Sequence, residues 1–283
     1  MNKISISQAW SYATSFFSGQ AANHAIALIG VGIVVPLVLQ FALGGGAMMA
    51  DPMSLAAGGG MAAMGGLMIL LSLINYILQT GSYFASWRIG LTNGAEPVGS
   101  ALGYGMIAAL PTLLLGIVIV IVFVLIGFVV FGGAMAPMMM GGQPSEAMTA
   151  GSSILILLLA PLFLLFMVWV AARLCCTGPA MADQRTFNVL TGLSESWRMT
   201  AASQWKIFAY FILIGIVFFV IAMILGMIVG VSMFAGGAPS GGAMIGIIIG
   251  ALLLSIPMAY LQVAIPAGIY RALGGRSQSD VFA

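Results

Sequence analysis

Few residues in this sequence can carry chemistry, and their spacing keeps them apart. The chain of 283 residues holds one histidine, two cysteines, six carboxylates and eight cationic side chains. Acid–base or metal-assisted hydrolysis needs a histidine and several carboxylates converging on one pocket. His24 stands alone at the start of the first long apolar run, where an interfacial role is expected. Asp51 and Glu146 fall in connections that apolar runs separate from Glu96, Asp183, Glu195 and Asp280. No serine sits in a nucleophile-elbow pattern with a recognisable base. The sequence therefore reads as a protein that is not an enzyme and needs no cofactor.

Sulfur is the one abundant ligand atom, with 21 methionines. Met61, Met64 and Met68 have helical spacings that place pairs of thioethers on one face, and thioethers suit Cu(I). Methionine is equally an adaptable apolar filler, and no histidine or acidic cluster supports these positions. They stay weak metal candidates, and no metal is assigned. Cys175 and Cys176 are adjacent, which strains any bridge between them, and C-x-x-C spacing is absent. Free thiols are expected.

The elements that carry these residues are set by composition. Hydrophobic residues make up 62% of the chain and charged residues 5%, where a soluble domain carries roughly a quarter charged. Continuous apolar runs near 21–43, 62–86, 106–131, 152–174, 206–234 and 243–270 predict six transmembrane helices in one membrane domain, 1–283. The connections near 44–61, 132–151 and 235–242 contain no Lys or Arg. All eight cations fall on the other side: Lys3, Arg88, Arg173, Arg185, Arg198, Lys206, Arg271 and Arg276. This segregation predicts an inner-membrane protein with both termini in the cytoplasm. A basic face beside anionic lipid points to membrane lipids or a membrane protein partner, and not to nucleic acid.

A repeat is also legible. Ile6, Ala9, Trp10, Ala13 and Phe17 share one helical stripe ahead of the first span, with serines and a threonine mostly opposite, the pattern of an interfacial amphipathic helix. Steps of 92 residues lead to Val98, Ala101, Leu102, Gly105 and Ala109, then to Leu190, Leu193, Ser194, Trp197 and Ala201. Each such segment precedes two spans, and each pair of spans closes with an aromatic near an arginine: Trp87 with Arg88, Trp169 with Arg173, Tyr270 with Arg271. The expected fold is all-α, with six spans in three pseudo-repeated units, 1–92, 93–184 and 185–283, each preceded by an amphipathic interfacial helix.

From Arg173 to Leu213 an arginine ends a span, a small-residue and proline turn follows, and a leucine-bearing helix runs into Ser-x-x-x-Thr and Trp-x-Ile-Phe. On Arg173, Pro179, Leu193, Ser196, Trp197, Thr200, Trp205, Ile207 and Phe208, with an earlier counterpart from Tyr83 to Leu115, the chain resembles the membrane domain of some bacterial glycerophosphodiester phosphodiesterases and related stand-alone six-span inner-membrane proteins. The resemblance implies an architecture and a membrane location, and little about mechanism.

The candidate lipid-headgroup or partner-binding residues are Arg88, Arg173, Arg198 and Lys206, with Trp87, Trp197 and Trp205 beside them. Arginine grips phosphate oxygens through its planar fork, and tryptophan favours the headgroup zone. Asn75 and Gln79, four apart, form a candidate polar seam that would hold helices together within the membrane. The alternatives are a transporter or channel for a small or lipid-like solute, with Cu(I) a minor variant, and an accessory subunit of a membrane enzyme. The oligomeric state is left open.

Overall fold

The computed structural model describes residues 5–44, 60–139, 146–234 and 241–275, and every regular element among them is helical. The connection containing Asp51 lies outside the described residues, as do Lys3, Arg276 and Asp280. So do the side chains of Met61, Met64 and Glu146.

Helix α1, Ile6–Ser15, starts where the Ser5 hydroxyl accepts the Gln8 N–H at 3.4 Å, satisfying one of the orphan donors at a helix start. The first span, α2, is composite. It opens as α-helix over Ala21–Ala25, widens into π-turns over Ile26–Val34, returns to α-helix over Val35–Leu39 and widens again over Gln40–Gly44. Pro36 stands at the return; it has no N–H to give to an i→i−4 bond, and a local change of register accommodates that loss. Then come α3 (Gly60–Leu91), α4 (Val98–Met139) and α5 (Glu146–Leu174). Two short helices, α6 (Thr177–Gln184) and α7 (Val189–Thr200), lead through a 3₁₀ turn to α8 (Gln204–Phe234), and α9 (Gly241–Ala272) follows.

Five segments among the described residues are long and apolar enough to cross a membrane: Ala21–Leu43, Gly65–Leu91, Val98–Leu125, Pro161–Gln184 and Val189–Ile221. The molecule is a multi-pass helical membrane protein. The last apolar run of the sequence forms α9, a helix of 32 residues.

The amphipathic leaders differ from the expectation in two places. There is no separate helix ahead of the second pair of spans, because α4 runs unbroken from Val98. Ala101, Ala108 and Ala109 on that stretch are buried against neighbouring helices, so the periodic stripe there serves packing and not an interface. Helix α1 does exist, but its Ala9 and Ala13 are buried against α9, where a Cβ on Gly268 would lie 2.4 Å from the Ala9 carbonyl oxygen. Trp10 and Ile6 face outward. In α7 the predicted stripe is exposed at Leu190 and Trp197, while Val189, Gly192, Ser196 and Thr200 turn inward.

Small residues let the spans close. A Cβ on Gly105 of α4 would sit 2.1 Å from the Gly81 carbonyl oxygen of α3, so the two backbones touch at this crossing. The well-packed residues gather toward one end of the bundle, with Leu28, Phe84, Tyr104, Met181, Ile207, Val263 and Ile269 buried. Farther along the same spans, Val118, Val120, Leu162, Leu164 and Phe219 are exposed, as apolar residues bathed by hydrocarbon can be.

Candidate functional site

The ends of α3 and α9, which carry Arg88 and Arg271, meet around α6. Arg88, at the end of α3, is buried. Its Nε donates to Glu96 and its Nη1 to the carbonyls of Ala182 and Asp183, at 2.8 and 3.2 Å. Ser100 donates to the other Glu96 oxygen at 2.6 Å, and Arg185 lies 3.5 Å from it. Burial pushes the Glu96 carboxyl up, but the Ser100 hydrogen bond, with the bond and charge of Arg88 and the charge of Arg185, outweighs that and holds it below the ordinary carboxylate range.

The same short helix is held from other sides. Tyr104 of α4 donates to the carbonyls of Met181 and Thr186, at 2.8 and 3.1 Å. Tyr270 of α9 donates to the Asp183 carboxylate at 2.8 Å. Trp87 of α3 donates to the Val263 carbonyl of α9 at 2.9 Å, and Arg271 donates to the Gly90 carbonyl at 2.8 Å while lying over the Phe16 ring. Gly178 lets α6 pack directly on Trp87, because a Cβ there would press on its ring and force it to shift.

Around the end of α5 the pattern changes. Arg173 is buried, and its guanidinium carbon lies 4.1 Å from the centroid of the Trp197 ring on α7. The Arg173 carbonyl accepts the hydroxyls of Ser196 and Thr200, at 2.9 and 3.2 Å, and Ser196 also accepts the Cys176 N–H at 3.1 Å. Trp169 stands edge-on to Trp197, with centroids 5.7 Å apart. Yet the Arg173 Nε and Nη1 and the Trp169 Nε1 are buried with no acceptor among the described residues.

The candidate residues thus separate by environment. Arg88 is taken up by Glu96 and two carbonyls, and burial closes it off. Trp87 is half-buried and committed to the Val263 carbonyl. Arg198 is exposed but paired with Glu195 at 2.8 Å; Lys206 and Trp205 are exposed. Arg173 and Trp197 come together, with Trp169, which the sequence pairs with Arg173 at a span end but does not place among the candidate binding residues, as a third member. The four-residue spacing from Trp169 to Arg173, and the small face Gly192, Ser196, Thr200 at the same spacing on α7, were the available signals.

Asn75 and Gln79 share a face of α3, as their spacing requires, but both are exposed. They do not tie the described helices together; Asn75 instead borders a niche of about 50 Å³ beside Pro36, Gln40, Met68 and Ser72. Met68 lies at that niche, and among the described residues no three His, Cys, Asp or Glu side chains converge on a common point. His24 is fully buried, with Nδ1 2.6 Å from the Ser86 hydroxyl and its ring against Phe16 and Phe17. It is a core residue and not an interfacial one, because the turn after α1 brings both phenylalanines over it. Cys175 and Cys176 are free thiols.

An open-sided groove of about 790 Å³ runs between α8 and α9, with α1 across one end. Its walls include Ile6, Trp10, Leu213, Val217, Pro257 and Leu261, and no charged residue lines it. Tyr210 lines it too, buried, with a hydroxyl that has no partner among the described residues. Comparison with family models, with curated proteins and with solved structures finds no match to this chain.

Proposed function

We propose that this chain is a non-enzymatic protein of the bacterial inner membrane. In this reading it crosses six times, has both termini in the cytoplasm and engages membrane lipid at its basic end. The observation that carries the reading is the groove between α8 and α9. Its volume of about 790 Å³ lies within the range of roughly 300–1,000 Å³ typical of ligand pockets. Its walls are apolar, and the buried Tyr210 hydroxyl, without a partner among the described residues, offers a hydrogen bond to a polar headgroup or ester. An amphiphile with its chains along the spans and its head near Tyr210 satisfies both. Lipid extracted from purified protein tests this. Wild-type protein is expected to retain lipid in fixed proportion, and Val217→Trp, which fills the groove, to lose it. Equal retention by both proteins would sink the reading.

The organisation into three units is part of the same proposal. What supports it is a ring of contacts: Arg88 reaches Ala182 and Asp183, Arg173 reaches Trp197, and Arg271 reaches Gly90, each arginine ending one pair of spans and touching another. The likeness to the phosphodiesterase-associated membrane domain is proposed in the same sense, since Pro179, Ser196, Thr200 and Ile207, among the residues that carry it, are all buried at this end.

A second reading, an accessory subunit with a membrane protein partner, is favoured by one observation. Asn75 and Gln79 are exposed on a span, where an amide facing hydrocarbon is costly and a partner helix would accept its hydrogen bonds. Crosslinking from a photoreactive residue at position 79 should trap a defined protein band; labelling of lipid alone would count against a partner there.

A further inference from the structure

Arg173 and Arg88 end spans in the same manner, yet among the described residues only Arg88 has an anion. Glu96 follows Arg88 by eight residues and neutralises it; eight residues after Arg173 stands Met181, which is buried and carries no charge. The other described carboxylates are engaged elsewhere, Glu195 by Arg198 and Asp183 by Tyr270. Arginine keeps its charge under all ordinary conditions, and a buried cation without a counter-charge is strongly disfavoured.

The unmet groups packed on Trp197 are donors. Arg173 Nε and Nη1 and Trp169 Nε1 are buried with no acceptor among the described residues. Positions 169 and 173 are one helical turn apart on α5, and both side chains pack on the Trp197 ring. Trp197 is itself 44% exposed, so the cluster lies just behind the outer face of α7. Several N–H donors, one fixed positive charge and no acceptor define the recognition chemistry of an oxyanion.

We propose that Trp169 and Arg173, braced by Trp197, bind a phosphate oxyanion, supplied by the headgroup of an anionic phospholipid. The site rests on the reading that the protein engages lipid at its basic end, and it adds a charged subsite distinct from the uncharged groove at Tyr210. Arg173 supplies the charge and two N–H groups, and Trp169 supplies one more. Trp197 shields the guanidinium from water on one face, which raises the worth of each charge-assisted bond.

The test uses the full-length protein in nanodiscs containing phosphatidylglycerol and phosphatidylethanolamine, with bound lipid read by native mass spectrometry. Wild-type protein is expected to enrich phosphatidylglycerol several-fold over the bulk ratio. Arg173→Gln should return that ratio to bulk. Trp169→Phe, which keeps an aromatic side chain but removes the indole N–H together with the five-membered ring, should lower the enrichment about twofold, the lower end of the worth of one hydrogen bond. Since Arg173→Gln risks misfolding, Trp169→Phe carries the test alone if needed. Thermal melting of delipidated protein with inorganic phosphate is the second arm. A rise in Tm that requires Trp169 and Arg173, without lipid enrichment, would support the oxyanion site and name free phosphate as its source. If both variants match wild-type protein in both arms, the proposal is overturned. Loss of retained lipid in Val217→Trp would still leave the groove standing, so the two failures are distinguishable.

Discussion

At the scale of single residues, the basic end is a set of solved and unsolved electrostatic problems. Arg88 is solved internally by Glu96, at the cost of desolvating both groups. Replacing Glu96 by Gln leaves the buried guanidinium without its counter-charge and is expected to destabilise the protein by about 3 kcal/mol, read as a lowered Tm in detergent. The pH dependence has a definite sign. The folded carboxyl of Glu96 titrates below its unfolded value, so its contribution is fully present above the ordinary carboxylate pKa and is lost as pH falls through the lower folded one. Acid-induced loss of Tm should therefore be shallower in Glu96→Gln than in wild-type protein. An unchanged acid profile would mean that Glu96 is not held by Arg88 in solution.

At the scale of elements, spans pair through small residues whose importance depends on which face they occupy. Gly103 and Gly105 are two apart on α4; a Cβ on Gly103 meets nothing within 4 Å, whereas one on Gly105 collides with the α3 backbone. Gly105→Ala should cost about 1–3 kcal/mol through overpacking. Gly103→Ala should be neutral or stabilising by up to about 1 kcal/mol, because alanine is the better helix former. Melting curves of the two variants side by side check the α3–α4 interface. Composition alone could not rank these two glycines, since both lie in the same apolar helix and the distinction comes from the neighbouring backbone. The stripe at Val98–Ala109 misled for a related reason: an apolar face at helical spacing packs on a neighbouring helix or lies in an interface with the same periodicity, and only the neighbours distinguish the two.

At the scale of the whole molecule, the described cations sit on helix ends that bond to one another, and the described face of large exposed apolar residues lies farther along the same spans. With Cys175 and Cys176 replaced by serine, a cysteine at the exposed Ser194 should react with a membrane-impermeant maleimide only in inverted vesicles. A cysteine at Asp51 should react only from the periplasmic side of intact spheroplasts. The opposite pattern would invert the topology and remove the anionic cytoplasmic leaflet from any account of the basic end.

Hydropathy and the segregation of charge were enough to read the helical membrane class and the grouping of cations, because both follow from the cost of placing polar backbone and charge in hydrocarbon, which acts on each residue independently of its partners. The same one-dimensional reading treated Arg88, Arg173 and Arg198 as equivalent surface cations. Only the tertiary structure separated them, by setting Glu96 against Arg88, Glu195 against Arg198 and an aromatic ring, with no carboxylate among the described residues, against Arg173. A salt bridge depends on the distance between two side chains, and sequence spacing sets that distance only within one helix, as for Glu195 and Arg198. Between helices it is set by packing, through contacts as local as the Gly105 crossing and the fit of Gly178 against Trp87.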